Sequence, residues 1–163
     1  KYKSINSWVK SCDIIMKELV VRGWCQKNQG FSQYYGSGYL DASHLLMYNL
    51  GFLDKEDPVF IKNTRSSFKN LTCDNLSYRY RSIDDFGEPK TAFTICSFWM
   101  VQALFNIGEK EKAQEIFAEI LSYRNELGLL SEGVCFTSKE LRGNFPQGYS
   151  HLGLIETAFV LGG

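Results

Sequence analysis

The sequence predicts an all-α protein of three helical hairpins, and three observations support that class. Apolar residues recur at helical spacing in six segments, with almost no strand pattern between them. The segments alternate in character: a helix with one apolar stripe is followed by one that is apolar on nearly every face. Finally, the hairpin starts near Ile5, Pro58 and Glu109 recur at intervals of about 50 residues. A solenoid and a closed double ring of helices both satisfy this pattern.

The first helix is expected over about Ile5–Arg22, with Trp8, Cys12, Ile15, Met16 and Leu19 on its inward stripe. The second covers about Leu40–Leu50, with Asp41 or Ser37 available as its cap. A third starts at Pro58, a good first-turn residue, and carries Phe60, Ile61, Thr64 and Phe68. The fourth, Ala92–Ile107, is apolar nearly all round. The fifth, Glu109–Glu126, turns Ala113, Ile116, Phe117, Ile120 and Leu121 inward and Lys112, Glu115 and Glu119 outward. The last runs from about Gln147 to Leu161.

Helices one, three and five therefore belong outside, and two, four and six inside. The inner helices end in similar runs, Asn49-Leu50-Gly51, Asn106-Ile107-Gly108 and Val160-Leu161-Gly162, where glycine suits a helix stop. Connections from inner to outer helix are short. Those from outer to inner are long, over about 23–39, 71–91 and 127–146, and they gather on one face, where a site belongs. Three hairpins make only half of a six-hairpin ring, and an isolated half leaves apolar inner helices open at two edges. The first residue is Lys rather than Met. A fragment, or a chain that pairs with another, is the expectation.

Composition narrows the function. Eighteen basic and 18 acidic residues cancel, which gives no footprint for nucleic acid or an anionic membrane. No apolar run is long enough to span a bilayer. Aromatics reach 15%, suited mostly to a core but also to stacking on sugar faces. The five cysteines contain no C-x-x-C pair and the chain has only 2 His, which argues against zinc. They read as reduced, mostly buried thiols, and hence as a cytoplasmic protein. The N-x-[ST] triplets at Asn70 and Asn75 carry little weight without a signal peptide.

The long loops differ in information. In the first, Gly30-Phe31-Ser32-Gln33-Tyr34-Tyr35-Gly36 fits a short extended segment with a turn, or a packing plug. The second alternates Tyr78, Arg79, Tyr80 and Arg81 before Asp84 and Asp85. Arginine beside aromatics can grip a sugar's hydroxyls while the rings cover its apolar face, but an Arg–Asp surface salt bridge is the simpler reading. The third carries Glu132 after Leu130-Ser131, with Arg142, Asn144, Tyr149 and His151 close behind. A single loop Glu is ordinarily just solvated; this company singles it out.

The runs YYGSGYLDAS, GFLDKEDP, YRY, AFTICSFW, EKAQEIFAEILSYRNELGLLSE and GNFPQGYSHLGLIETA, in this order, resemble bacterial members of the glucoamylase family, glycoside hydrolase family fifteen. That family also holds glucodextranases and some trehalases. The resemblance extends from about Trp8 to Gly162 and implies that residues 1–163 are a single domain, the C-terminal half of an (α/α)6 barrel. It implies an exo-acting, inverting hydrolase that releases glucose from maltooligosaccharide or starch-type substrates. A trehalase of the same family is the alternative within the class.

The resemblance further implies that Glu132, in Leu130-Ser131-Glu132, is the general base, with the general acid on the half of the barrel absent here. In inverting enzymes the two carboxyls stand roughly 6.5–9.5 Å apart, leaving room for water. Arg79 matches a substrate-binding arginine and Tyr149 an aromatic beside the glucose site. No metal or organic cofactor is implied. The expected partners are an α-glucoside and the earlier half of the barrel, or a second copy docked through the exposed inner helices. Two departures stand out: Gly133, where relatives carry Glu or Gln, is expected to loosen the base loop. Lys90, where relatives carry an acid, with Glu88 two residues earlier, is expected to alter substrate preference or realign its loop. A reading from a different class remains open: a non-catalytic helical-repeat module that binds other proteins through its long loops.

Overall fold

A computed structural model describes residues 5–162. It has the expected all-α architecture. The α-helices are α1 (Ile5–Glu18), α2 (Pro58–Leu71), α3 (Thr94–Asn106), α4 (Lys110–Ser122) and α5 (Gly148–Gly162). A π-turn, Leu19–Gly23, prolongs α1, and the expected second helix is a 3-10 helix, Ala42–Met47. α3 lies at the centre, packed against the 3-10 helix and α5 as inner neighbours and against α2 and α4 outside.

Local chemistry sets most boundaries. Asp57 caps α2 through its Oδ1, which accepts from the Val59 N–H at 2.7 Å, and Pro58 follows as the first-turn residue. Asp41, not Ser37, caps the 3-10 helix, accepting from Ser43 N–H at 2.8 Å. That run is short enough to favour the tighter winding, and the Ala42 N–H is spent on the Arg79 carbonyl at 2.8 Å. α4 stops before Glu126 because Asn125 accepts from the N–H groups of Leu127 and Leu129 at 3.0 and 2.8 Å, forming a turn of its own.

The inner elements are bolted by a polar chain that runs from exposed Asn49 to buried Gln102 and Thr157. Asn49 donates to the Gln102 carbonyl oxygen at 2.5 Å, and Gln102 donates to the Thr157 hydroxyl at 2.9 Å. Two bonds thus join the segment after the 3-10 helix, α3 and α5. The core also holds Phe98, Ile95, Met100, Ile116 and Ile120, all essentially fully buried.

The sequence expectation of almost no strand is corrected. Seven short strands occupy the long loops: hairpins of β1 (Trp24–Cys25) with β2 (Gly30–Phe31) and of β3 (Thr72–Cys73) with β4 (Leu76–Ser77). A three-stranded sheet joins β5 (Thr91–Phe93), β6 (Gly133–Cys135) and β7 (Leu141–Arg142). Strands of two or three residues are too short to show alternation. β5 also takes what looked like the first turn of the fourth helix, so α3 starts at Thr94.

Two faces stay open. α1 has no buried residue, and Trp8 on its stripe is 63% exposed. The inward position expected for that stripe is therefore not realised within this chain. α5 buries only Ser150, Gly153 and Thr157, leaving Leu152, Ile155 and Phe159 in solvent. Of the open inner edges foreseen for half a ring, one is seen, at α5; the other open face belongs to α1, a helix expected outside.

The cysteines correct another expectation. All five are unpaired, but only Cys96 is buried; Cys12 and Cys73 are exposed, and Cys25 and Cys135 half-buried. No helix among the described residues is long and apolar enough to cross a membrane.

The α3–α5 contact supplies a stability prediction. A Cβ at Gly153 would fall 2.4 Å from Ile95 Cδ1 and 3.1 Å from Phe98 Cδ2. Gly153→Val should cost about 1–3 kcal/mol by overpacking. Gly148→Ala, where a Cβ meets nothing within 4 Å, should be nearly neutral. Urea unfolding midpoints of the two variants check the difference.

Candidate active site

A cleft of about 600 Å³ opens on the long-loop face, within the usual size of a small-molecule site. Its walls come from the second loop (Arg79, Tyr80, Asp84, Phe86), from β5, and from Glu132 and Arg142 on the third loop. Two of the three residues singled out from the sequence, Arg79 and Glu132, therefore face one cavity. Tyr149 stands beside it, half-exposed, at the start of α5. Its ring packs edge-on to Trp99 at 6.1 Å and to Phe93 at 6.5 Å, and Phe93 lines the cleft.

Glu132 is mounted rigidly. Its N–H donates to the Asn144 carbonyl at 2.9 Å, and its own carbonyl accepts from Thr94 N–H, at the head of α3, also at 2.9 Å. The side-chain Oε2 accepts from both the main-chain N–H and the side-chain amide of Asn144, each at 3.0 Å. The residues before it are held from α5: Gln147 N–H donates to Leu130 O at 3.0 Å, and the Ser150 hydroxyl to Ser131 O at 2.8 Å. His151 completes the clamp. Its Nε2 accepts from Leu130 N–H at 3.3 Å while Nδ1 faces Gln147 O at 2.7 Å, which assigns the proton to Nδ1. His151 is thus a brace for the Glu132 segment rather than a group facing the cavity.

Gly133 does not loosen that segment, contrary to expectation. It is a buried member of β6, paired with Phe93 on one side and Arg142 on the other. A Cβ there would lie 2.5 Å from the Ala92 carbonyl oxygen, so close strand contact selects glycine. Lys90 and Glu88 both line the cleft. The departure at Lys90 therefore changes the charge of the cavity wall.

Arg79 has a partner that sequence reasoning missed. Its Nε reaches both carboxylate oxygens of buried Asp41, at 3.0 and 3.1 Å. Burial opposes the guanidinium's charge, but Asp41 outweighs it and holds Arg79 above its ordinary range. The simpler sequence reading, an Arg–Asp surface bridge within the second loop, is not found. Asp84 instead accepts from the Tyr80 hydroxyl at 2.7 Å and from Phe86 N–H at 2.8 Å. Those two donors hold its carboxyl below the usual range. The neighbours of Arg79 have structural work: Tyr78 stacks on Phe136 at 4.0 Å, and Arg81 lies over the Tyr78 ring.

Comparison with known proteins finds relatives by sequence and by fold. Over 155 residues the chain is 35% identical to a trehalase of Thermoplasma volcanium, covering 94% of this chain and 25% of that protein. It is 36% identical over 151 residues to a trehalase of Mycolicibacterium smegmatis, covering 91% of this chain and 22% of the relative. The chain thus spans about a quarter of the length of the curated relatives it matches. No family model matches it. A solved glycosidase superposes with a TM-score of 0.83 at 17% identity, over 96% of this chain and 44% of that one. A variant of that glycosidase in complex with glucose superposes equally, at 0.83 and 16% identity. This chain has the fold of part of a glycosidase. At these identities the structural likeness speaks for the fold alone.

The hairpin that carries the Glu132 mount also offers a chemical probe. Hydroxyls and main-chain N–H groups of Ser138 and Thr137 pull the Cys135 thiol down to about 6. A lowered value keeps the thiolate at neutral pH and removes it as pH falls through about 6. Iodoacetamide labelling followed by mass spectrometry should show half-maximal Cys135 reactivity near that pH, and Ser138→Ala should move the midpoint upward. Cys96, pushed up by burial, should stay unlabelled in the folded protein.

Proposed function

We propose that this chain forms the C-terminal half of the catalytic barrel of an inverting α-glucoside hydrolase whose substrate is trehalose. Glu132 is the general base and Arg79 binds substrate hydroxyls. The observation that carries the reading is the braced Glu132 side chain on the wall of a cleft that it shares with Arg79. A base in such a reaction must hold one water against the anomeric carbon on the face opposite the leaving group. It takes the water's proton as the C1–O bond breaks, while an acid on the other half of the barrel protonates the departing oxygen. Tyr149 supplies an aromatic edge beside the glucose. The reaction needs no cofactor.

Support for trehalose over a starch-type substrate comes from the relatives, which are named trehalases. The maltooligosaccharide expectation therefore yields to its alternative. A hydrolase is preferred over a protein-binding repeat module because the second and third long loops converge on a concave cleft with a carboxylate and a guanidinium in its wall. The partner of the open α1 and α5 faces is, on this reading, the earlier half of the barrel. The unpaired cysteines support a cytoplasmic location.

The test uses the complete polypeptide. Glu132→Gln should lower trehalose turnover by about 10³-fold or more and leave KM within about threefold, because the base acts chiefly in the transition state. Steady-state glucose release measures both. Near-normal turnover in this variant would end the assignment of Glu132. Faster turnover of maltotriose than of trehalose by the natural protein would end the assignment of substrate.

A further inference from the structure

The Glu132 carboxylate is not held symmetrically. Both donors that reach it, the main-chain N–H and the side-chain amide of Asn144, bind the same oxygen, Oε2, at 3.0 Å each. Oε1 accepts from no group among the described residues. Asn144 touches Glu132 at a third point, since its carbonyl accepts the Glu132 N–H at 2.9 Å. The residue before it permits this closeness. Gly143 has φ +75°, and a Cβ there would stand 2.5 Å from Oε2 and 3.0 Å from the Glu132 Cβ. A side chain there would collide with the Glu132 carboxylate and displace it, and the positive φ itself disfavours any residue but glycine.

The terminal torsion of a glutamate is broad and twofold, so a free carboxylate spreads its oxygens over many orientations. Two donors converging on one oxygen remove that freedom and leave the other oxygen at a fixed position. A base gains from this because its rate depends on holding the reacting atoms in near-attack geometry.

We propose that Gly143–Asn144 is the positioning element of this site: it anchors Oε2 of Glu132 so that Oε1 is the oxygen that takes the proton from water. The proposal rests on Glu132 being the base. Asn144 acts through Glu132, and Gly143 acts by giving the Glu132 carboxylate room.

The experiment compares Asn144→Ala, Asn144→Asp and Glu132→Gln in the complete polypeptide, with trehalose as substrate. Thermal midpoints identify the folded fraction. Asn144→Ala keeps the main-chain donor and loses the amide. Its kcat should fall by about 10- to 100-fold with KM within about twofold. Asn144→Asp preserves shape but sets a second carboxylate beside the first. Like charge disfavours the ionised form, so the acid limb of its kcat profile should move to higher pH. A kcat per folded molecule within about twofold of the natural protein for Asn144→Ala, with Glu132→Gln inactive, would overturn the positioning role and leave the base assignment standing. A lowered thermal midpoint with unchanged kcat and pH profile would likewise reduce Asn144 to a structural brace and overturn it. Retained activity in Glu132→Gln would overturn the base assignment and this proposal together.

Discussion

Two main-chain hydrogen bonds at Glu132 tie the long-loop face to the helical layer beneath it. The Thr94 N–H, at the head of the buried inner helix α3, donates to the Glu132 carbonyl, and the Glu132 N–H donates to Asn144. The first bond continues the pairing of β5 with β6, so the strand that leads into α3 carries the loop. The second closes the β6–β7 hairpin over the carboxylate. Gln147, just before α5, and Ser150 and His151 within it bind the same segment. A loop residue thereby acquires the rigidity of the helices, which suits the role proposed for it, since a base must hold one water in place.

The inner helices show what that rigidity costs and where it stops. α3 is buried on every side from Thr94 to Leu104, because the 3-10 helix, α5, α2 and α4 all contact it. α5 is also rich in apolar residues, but it buries only Ser150, Gly153 and Thr157, and its Phe159 is 78% exposed. Two apolar helices thus differ in burial because of what packs against them: α3 meets four helical elements, while α5 packs chiefly on α3. A face of this kind is stable in water only when another hairpin covers it.

Much of this architecture was legible in the sequence because helical periodicity reports burial over many residues. The hairpin order, the inner–outer alternation and the long-loop face all follow from it. Elements set by contacts distant in the chain were not legible. The Asp41–Arg79 pair spans 38 residues, and nothing local to Arg79 announces it; Asp84 and Asp85 were the nearer and wrong candidates. Gly133 reads as a loosening residue because relatives carry Glu or Gln there; the strand opposite it, Thr91–Phe93, is hidden because Ala92 and Phe93 read as the start of a helix. Asn144 stood out only as a neighbour of Glu132, although glycine before it was a usable signal of close approach. Cysteine burial escapes the sequence for a related reason: Cys12 lies on α1, which buries no residue, and Cys73 in the two-residue strand β3.

The central claim is that Glu132 acts as a base on the face opposite the leaving group. Its most direct test removes the carboxylate and supplies another nucleophile in its place. The Glu132→Ala variant of the complete polypeptide would be incubated with α-glucosyl fluoride and azide, and the product followed by proton NMR. The fluoride leaves without acid assistance, so only the attacking side is interrogated. A small anion filling the emptied space should restore turnover and yield β-glucosyl azide, the product of inversion at C1. Formation of α-glucosyl azide, or no rescue in a variant that still binds glucose, would contradict the assignment of Glu132.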